Sequence, residues 1–216
     1  MFFTRKAEML APEQTLTGRT ERHFALSERH RTLDAPVVTD EIPAGYEVAY
    51  FGLGCFWGAE EVFWQVPGVW STSVGYAGGT TPNPSYEEVC SGMTNHTEAV
   101  RIVFDPSKVS YADLVKQFFE VHDPTQGYRQ GNDVGTQYRS AIYWTTPEQE
   151  QVARELTKIY GDELHRRRLG DITTEIRPAA DTPYFYAEDY HQQYLAKNPH
   201  GYRCHANTGV RFPATA

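Results

Sequence analysis

The chain has 216 residues, of which 40% are hydrophobic and 13% aromatic, and its formal net charge is −8. This composition predicts a globular fold rather than a disordered chain, and the negative charge argues against a general role in binding nucleic acid or a membrane surface. No apolar run is long enough to cross a membrane, and we expect no secretory signal at the start. Three cysteines are too few for a disulfide framework and favour a reducing cytoplasm.

Residues 1–42 are polar, carry charges of both signs and show no clear periodicity. We interpret them as an N-terminal extension, either an extended arm that lies on the domain or a partly disordered segment. Regular patterning starts at Glu47 and contains no internal repeat. We therefore assign residues 43–216 to one domain.

In chain order, hydrophobic patterning predicts strands at 47–51, 69–76, 97–104, 141–144 and 171–176. Helices are predicted between them, over 56–66 and after start signals at the capping box Ser85–Glu88, at Ser110 and at Thr146–Pro147. A last helix is predicted over 186–198. This alternation indicates an α+β fold, a two-layer α/β sandwich with a ferredoxin-like core, a mixed sheet and an irregular C-terminal tail.

One connection is unusually long for a compact domain. Residues 122–140, "HDPTQGYRQGNDVGTQYRS", are polar and contain three glycines. Long polar loops in compact domains are frequently functional, so we expect this segment to contribute to a site.

The stretch "GCFWG" places Cys55 between a predicted strand and the start of a predicted helix. At a helix N-terminus, backbone N–H groups and the helix dipole favour an anion, which would help a thiol that is only a few per cent ionised at pH 7. The flanking glycines would also let a ligand approach the backbone closely. The alternative is a buried cysteine acting as a small hydrophobic residue.

The segment "GCFWG" resembles the signature of the type A peptide methionine sulfoxide reductases. Further segments are similar to that family in the same order, from about Gly45 to Phe212: "GYAGG", "PNPSYEEVCSG", "HTEAVRIVFDP", "HDPTQ", "RQGNDVGTQYRSAIY" and "YAEDYHQQYLAKNPHGY". The resemblance implies that residues 43–216 form a catalytic domain that reduces the S epimer of methionine sulfoxide, protein-bound or free, to methionine.

By this resemblance, Cys55 attacks the sulfoxide sulfur, and Phe56 and Trp57 wall a pocket around the S-methyl group. Stacked aromatic rings suit a methyl sulfoxide because one end of it is apolar. The alternative is that both rings are ordinary core. Trp57 falls off the apolar stripe of the predicted helix, which favours a place at a pocket.

Glu98 matches the catalytic acid of the family, which protonates the sulfoxide oxygen. In the predicted strand it shares parity with Val100, Ile102 and Phe104. If those residues face the core, the carboxyl group does too, and burial would raise its pKa towards the range of a general acid. The alternative is a strand-end glutamate turned to solvent.

The resemblance gives roles to four further residues. Tyr86 and Tyr138 match tyrosines whose hydroxyl groups hold the sulfoxide oxygen, where neutral donors suit the developing charge. Asp133 and His191 match residues that contact the substrate backbone or support the pocket. His96, beside Glu98, has no such role in the family, and we interpret it as structural.

The family resolves a cysteine sulfenic acid with a further cysteine near the C-terminus, and thioredoxin then reduces the disulfide. In the commonest form that cysteine directly follows "GY", whereas here Cys204 is shifted by one residue, in "GYRCHANTGVRFP", and no second C-terminal cysteine exists. The resemblance implies a Cys55–Cys204 disulfide formed by a tail that can swing. Cys90 is interpreted as a buried hydrophobic residue on a short helix, with a resolving role as the alternative.

Two other classes of function are alternatives. A cysteine hydrolase would pair Cys55 with His96 or His191, and a metal-binding module would use cysteines and histidines as ligands. No C-x-x-C or H-x-x-x-H spacing occurs, so zinc is not expected. The reductase prediction needs no cofactor, has thioredoxin as partner and oxidised proteins and free methionine sulfoxide as substrates, and places a monomer in the cytoplasm.

Overall fold

The computed structural model describes residues 7–204 and 206–214. The helices and strands in chain order are β1 (Glu47–Leu53), α1 (Phe56–Trp64), β2 (Val69–Ala77), α2 (Tyr86–Cys90), β3 (Thr97–Phe104), α3 (Tyr111–Val121), β4 (Arg129–Gln130), β5 (Asp133–Val134), β6 (Ser140–Trp144), α4 (Pro147–Arg166), β7 (Glu175–Pro178), β8 (Phe185–Tyr186) and α5 (Tyr194–Lys197).

Six strands form one mixed sheet in the order β7-β6-β1-β3-β2-β8. All neighbouring pairs are antiparallel except β6 and β7, which are parallel. The predicted α+β class and mixed sheet are confirmed. The description of the core as ferredoxin-like stays a prediction.

The main core lies between this sheet and α1, α3 and α4. Apolar residues of β1 and β3 meet the apolar faces of those helices, with Phe51, Phe63, Phe104 and Phe118 fully buried. Ser110 caps α3 in a reciprocal capping box with Asp113, and Ser85 does the same for α2 with Glu88. These predicted start signals are confirmed. β3 also spans 97–104 as predicted, and the strand predicted at 171–176 starts later, at Glu175.

The predicted helix over 186–198 is wrong for most of its length, because α5 covers only Tyr194–Lys197. Side-chain hydrogen bonds replace the helical ones: Gln192 accepts from the Val74 N–H at 2.9 Å and donates to the carbonyls of Val74 and Ala187 at 2.8 Å. Gln193 then adopts a left-handed conformation with φ 47°. Residues 187–193 therefore form turns fastened to the edge of β2, and not a helix.

The described part of the N-terminal extension, residues 7–42, lies on the domain. Arg19 forms a two-pronged ion pair with Glu88 at 2.6 and 3.0 Å. The Asn95 side-chain amide accepts a hydrogen bond from the Leu10 N–H and donates one to the Leu10 carbonyl. Val37 is fully buried. Residues 1–6 fall outside the described residues. The boundary between extension and domain at residue 42 stays a prediction.

The C-terminal tail is irregular, as predicted, but it is anchored. The Tyr160 hydroxyl donates to the Val210 carbonyl at 2.9 Å, and the Phe212 N–H donates to Glu120 at 2.6 Å. Cys204 lies before these anchors. No helix among the described residues is long and apolar enough to cross a membrane.

Candidate active site

Cys55 occupies the N-cap position of α1, directly after the turn that ends β1. The turn needs glycine at position 54, where φ is +92° and an added Cβ would lie 2.6 Å from the Gln130 side chain. Gln130 is buried and bonds the backbone of Asp123 in both directions, at 3.1 and 3.0 Å. The long loop 122–140 is thereby held against the turn that presents Cys55.

Burial raises the pKa of the Cys55 thiol. The Trp57 backbone N–H lowers the pKa by hydrogen bonding to the sulfur, but this effect is smaller. The helix N-terminus therefore favours the thiolate through that N–H, while desolvation favours the neutral thiol more strongly.

Glu98 lies at the start of β3, is 2% exposed and accepts a hydrogen bond from the Phe56 N–H at 2.9 Å. Burial raises its pKa to about 8, although the hydrogen bond from Phe56 opposes that shift. The carboxyl group is therefore largely protonated at neutral pH. It points to the first turn of α1, directly beside the residue that follows Cys55.

An aromatic cluster continues from this turn. The Trp57 indole N–H donates to Nδ1 of His191 at 3.0 Å, and the indole face stacks on Tyr194 with centroids 3.8 Å apart. His191 also contacts the rings of Phe56 and Tyr86, with centroids at 5.1 and 4.5 Å. Trp57 is half-buried, which leaves part of its surface for a ligand.

His191 is 1% exposed, and burial lowers its pKa to about 4, so the imidazole is neutral. Its Nδ1 accepts from Trp57, so the proton sits on Nε2. Among the described residues no group bonds that Nε2 atom. A buried N–H without a partner at the edge of the aromatic cluster is suited to a ligand acceptor.

The two predicted tyrosines are both half-buried. Burial raises the pKa of Tyr86 and of Tyr138, so both hydroxyl groups stay neutral donors. Tyr86 is fixed by its backbone N–H, which donates to Glu188 at 2.8 Å, and Glu188 in turn accepts from the Tyr76 hydroxyl at 2.9 Å.

Asp133 lies on β5 in the long loop and is half-buried. Burial raises its pKa, and the hydrogen bond from the Tyr202 hydroxyl, at 3.1 Å, opposes the shift. This contact joins the loop to the segment that carries Cys204. Asp133 is close enough for its charge to act on both Cys55 and Glu98.

Cys204 lines the same cavity as Cys55, a space of about 170 Å³. Its Sγ lies 3.6 Å from the Gln130 carbonyl, and Arg203 forms a two-pronged ion pair with Glu61 of α1 at 2.6 and 2.7 Å. The tail is therefore fastened on both sides of Cys204, by Arg203 before it and by Val210 and Phe212 after it. That the tail can swing stays a prediction. All three cysteines are free thiols.

The two remaining residues of interest stand apart from this cavity. The prediction that Cys90 is buried is wrong. Cys90 is exposed because it ends α2, and Val89 fills the core position beside it. Its side chain hydrogen-bonds with Tyr86. His96 is structural in its contacts, since its Nε2 bonds the Thr81 carbonyl at 2.7 Å and its Nδ1 accepts from Gly79 at 3.1 Å.

Sequence reasoning missed the residues that support this site: Glu60, Glu61, Gln130, Glu188, Gln192, Gln193, Tyr194, Tyr202 and Arg203. Most of them fall inside the segments that carry the family resemblance. One sequence feature could have indicated them. Amide, carboxyl and tyrosine side chains are concentrated in "YAEDYHQQY" and around "GYRC", more densely than is typical of a solvent-exposed helix face.

The model of the family "Peptide methionine sulfoxide reductase" matches residues 47–214. A peptide methionine sulfoxide reductase MsrA from Salinispora arenicola is 56% identical over 99% of this chain and 96% of its own length. The MsrA 1 protein of Synechocystis is 54% identical over 98% of this chain and 93% of its own length.

Solved structures agree with this match. Methionine sulfoxide reductase A of Corynebacterium diphtheriae has a TM-score of 0.85 and 49% identity, covering 96% of this chain and all of its own. The reduced form of Mxr1 from Saccharomyces cerevisiae has a TM-score of 0.67 and 33% identity, covering 82% of this chain and 96% of its own. The resemblance seen in the sequence is confirmed: the chain belongs to the peptide methionine sulfoxide reductase family of oxidoreductases.

Proposed function

We propose that this chain reduces the S epimer of methionine sulfoxide, free or in oxidised proteins, to methionine through a Cys55 sulfenic acid and a Cys55–Cys204 disulfide. One observation carries the proposal: the buried Glu98 carboxyl lies 2.9 Å from the N–H of Phe56, the residue that follows Cys55. The proton donor on β3 thereby meets the first turn of α1, next to the nucleophile and beside an aromatic wall.

In the first step the sulfoxide methyl group lies against Trp57, and the oxygen faces Glu98, Tyr86 and Tyr138. Cys55 attacks the sulfoxide sulfur as its own proton leaves, and Glu98 donates a proton to the oxygen. The S–O bond breaks. The sulfoxide oxygen leaves as water, and a bond remains between the Cys55 sulfur and the substrate sulfur. A water molecule then adds to the Cys55 sulfur and breaks that bond, and the proton it releases restores Glu98. The substrate leaves as methionine, reduced by two electrons, and Cys55 is oxidised to a sulfenic acid.

In the second step the Cys204 thiol attacks the Cys55 sulfenic acid. A disulfide forms, and the hydroxyl leaves as water. The cavity shared by the two cysteines supports this pairing. A dithiol partner, thioredoxin in this proposal, then reduces the disulfide by thiol–disulfide exchange and restores both thiols.

We place this activity in the cytoplasm, because the thiols must be kept reduced between turnovers. We propose that the protein acts as a monomer.

One experiment tests the proposal: turnover of the separate S and R epimers of a methionine sulfoxide with dithiothreitol as reductant. The S epimer should react and the R epimer should not. A chain that cleaves peptides or esters without a reductant would instead be a hydrolase, the alternative that uses an imidazole. In the described part of the chain no imidazole bonds the Cys55 sulfur, which favours the reductase.

A further inference from the structure

We propose that Glu60 is a positioning residue for the substrate pocket, which acts on Trp57 through the turn at Gln193. This inference deepens the proposed function. Glu60 lies on α1 three residues after Trp57 and is fully buried. The catalytic steps proposed for Cys55, Glu98 and Cys204 do not use it, so a carboxyl group at this place needs an explanation.

The Glu60 carboxyl holds the Gln193 turn by both its backbone and its side chain. Oε2 accepts from the Gln193 N–H at 2.7 Å, and Oε1 accepts from the Gln193 side-chain amide at 2.8 Å. Gln193 is in the left-handed region, with φ 47° and ψ 42°, which is costly for a residue other than glycine. The two hydrogen bonds offset that cost and fix the turn.

The fixed turn carries both partners of the Trp57 indole. His191, two residues before Gln193, accepts from the indole N–H at 3.0 Å. Tyr194, the residue after Gln193, stacks on the indole face with centroids 3.8 Å apart and planes 14° apart. One edge and one face of the ring are therefore set by residues that flank Gln193, and the other face is left for the substrate methyl group.

A chain of hydrogen bonds links Glu60 to the N-terminal extension. The Thr72 hydroxyl donates to Glu60 at 3.0 Å and accepts from Nε2 of His30 at 2.8 Å. The direction follows from Nδ1 of His30, which accepts the N–H groups of Thr32 and Leu33, both at 3.1 Å, and so leaves the ring proton on Nε2. Each bond in the chain points towards Glu60, which is an acceptor throughout.

The Glu60 carboxyl thereby accepts three hydrogen bonds, from the Gln193 N–H, the Gln193 side-chain amide and the Thr72 hydroxyl. Replacing it with glutamine puts an amide donor opposite the donors of Gln193 and Thr72, so at least one bond is lost inside a buried site. The expected consequence is a looser Gln193 turn and a Trp57 ring without a fixed orientation. Burial of the methyl group then weakens, while the reacting groups of Cys55 and Glu98 stay in place.

The test compares Glu60→Gln with wild type by steady-state kinetics on the S epimer and by ¹⁵N NMR of the indole N–H groups. The chain has four tryptophans, so the Trp57 signal is assigned by its loss in Trp57→Phe. Glu60→Gln should raise KM on the order of 10-fold with a much smaller change in kcat, and its Trp57 signal should shift and exchange faster with water. Glu148→Gln, an exposed carboxyl on α4, is the matched control and should match wild type.

A double-mutant cycle separates positioning from general stability. In the Trp57→Phe background, Glu60→Gln should change KM by less than about 2-fold. The ring at position 57 then lacks the indole N–H that Glu60 is proposed to orient. Equal fold-changes in both backgrounds, or an unmoved Trp57 signal in folded Glu60→Gln, would overturn the proposal. If Glu60→Gln does not fold, Gln193→Val replaces it, with Gln193→Gly expected to perturb KM and the Trp57 signal less, since glycine accepts the left-handed turn.

The NMR measurement requires no turnover. If wild type shows no reductase activity but the Trp57 signal still responds to Glu60→Gln, the proposed function fails and the positioning role stands. If wild type is active and that signal does not respond, only the positioning role fails.

Discussion

Phe56 donates its backbone N–H to the Glu98 carboxyl at 2.9 Å, and Phe56 directly follows Cys55 in the chain. Glu98 on β3 and Cys55 at the N-cap of α1 are therefore joined through one peptide group. A carboxyl group that is fully desolvated yet aligned by a single N–H keeps its proton at neutral pH and holds it beside the reacting sulfur.

Replacing Glu98 with glutamine should lower the rate of the first chemical step on the order of 100-fold or more, because the general acid is lost while substrate still binds. The pKa of Glu98 is raised to about 8, so the acid form is present below that pH and is lost as pH rises through it. Single-turnover rates of wild type, measured with saturating substrate, should therefore fall above pH 8.

The same pH series on Glu98→Gln should lack this alkaline fall, because the titrating group is gone. Wild-type activity in the variant would remove Glu98 from the mechanism. A fall above pH 8 that persists in the variant would assign the titration to another group.

Replacing Cys204 with serine should leave the first turnover intact and block the cycle that thioredoxin completes. The attack on the sulfoxide sulfur does not use Cys204, so about one equivalent of methionine per protein should form in a burst. Small thiols should restore turnover by reducing the sulfenic acid directly. Cys55→Ser should lose even the burst, which makes it the control for the first step.

Mass spectrometry of the oxidised wild type should show a Cys55–Cys204 bridge. Cys90→Ser is the matched control and should keep thioredoxin-dependent turnover. A Cys55–Cys90 bridge, or turnover with thioredoxin that persists in Cys204→Ser, would move the resolving thiol to Cys90.

Short-range signals in the sequence predicted most of the helices and strands, because residues within each of these elements specify where it starts and which face it buries. The capping boxes at Ser85 and Ser110 lie within single turns, and β3 follows from a regular run of apolar residues. The burial of Glu98 followed from parity with Val100, since a strand sends alternate residues to one face.

Features set by distant contacts were not predicted. The segment at 187–193 has the composition of a helix, but Gln192 bonds the backbone of Val74, which lies 118 residues earlier, and the helix does not form. The net shift of the Cys55 pKa also depends on distant contacts. A helix N-terminus can be read from sequence, whereas the desolvation imposed by the surrounding loop cannot.

A methyl group added at Gly131 should slow disulfide formation and spare the first turnover. Gly131 has φ +60°, and a Cβ there would lie 2.9 Å from the Ala206 Cβ and 3.4 Å from the Cys204 Sγ. Gly131→Ala therefore pushes on the segment that holds the resolving thiol. The rate of loss of free thiols after one equivalent of substrate measures this step.

Gly127→Ala is the control for that experiment. Gly127 lies in the same loop with φ +64°, but an added Cβ meets nothing within 4 Å. Both variants carry a similar backbone cost of about 1–2 kcal/mol for an L residue in the left-handed region, and only Gly131→Ala crowds Cys204. Equal slowing in both would trace the effect to the loop backbone and not to the cysteine.

The free energy of unfolding should be greatest near pH 6.5. Burial lowers the pKa of four histidines from 6.5 to about 4: His30, His96, His122 and His191. Between pH 6.5 and 4 the unfolded chain binds protons at these side chains and the native protein does not, so their contribution to stability is lost as pH falls through this range.

Glu98 acts in the opposite sense. Burial raises its pKa from 4.5 to about 8. Above pH 4.5 the unfolded chain releases this proton while the native protein retains it, so stability falls as pH rises towards 8. Below pH 6.5 the four histidines outnumber this carboxyl, and acid destabilises the protein. Between pH 6.5 and 8 the histidines no longer oppose the effect of Glu98, and alkali destabilises the protein.

Urea denaturation at pH 5, 6.5 and 8 measures this balance, with the midpoint compared at constant slope. Wild type should be most resistant at pH 6.5, and Glu98→Gln should lose less stability than wild type between pH 6.5 and 8, because the retained proton is gone. A stability that rises steadily from pH 5 to pH 8 in wild type would show that Glu98 is ionised in the native protein, and it would remove the basis for Glu98 as a proton donor at neutral pH.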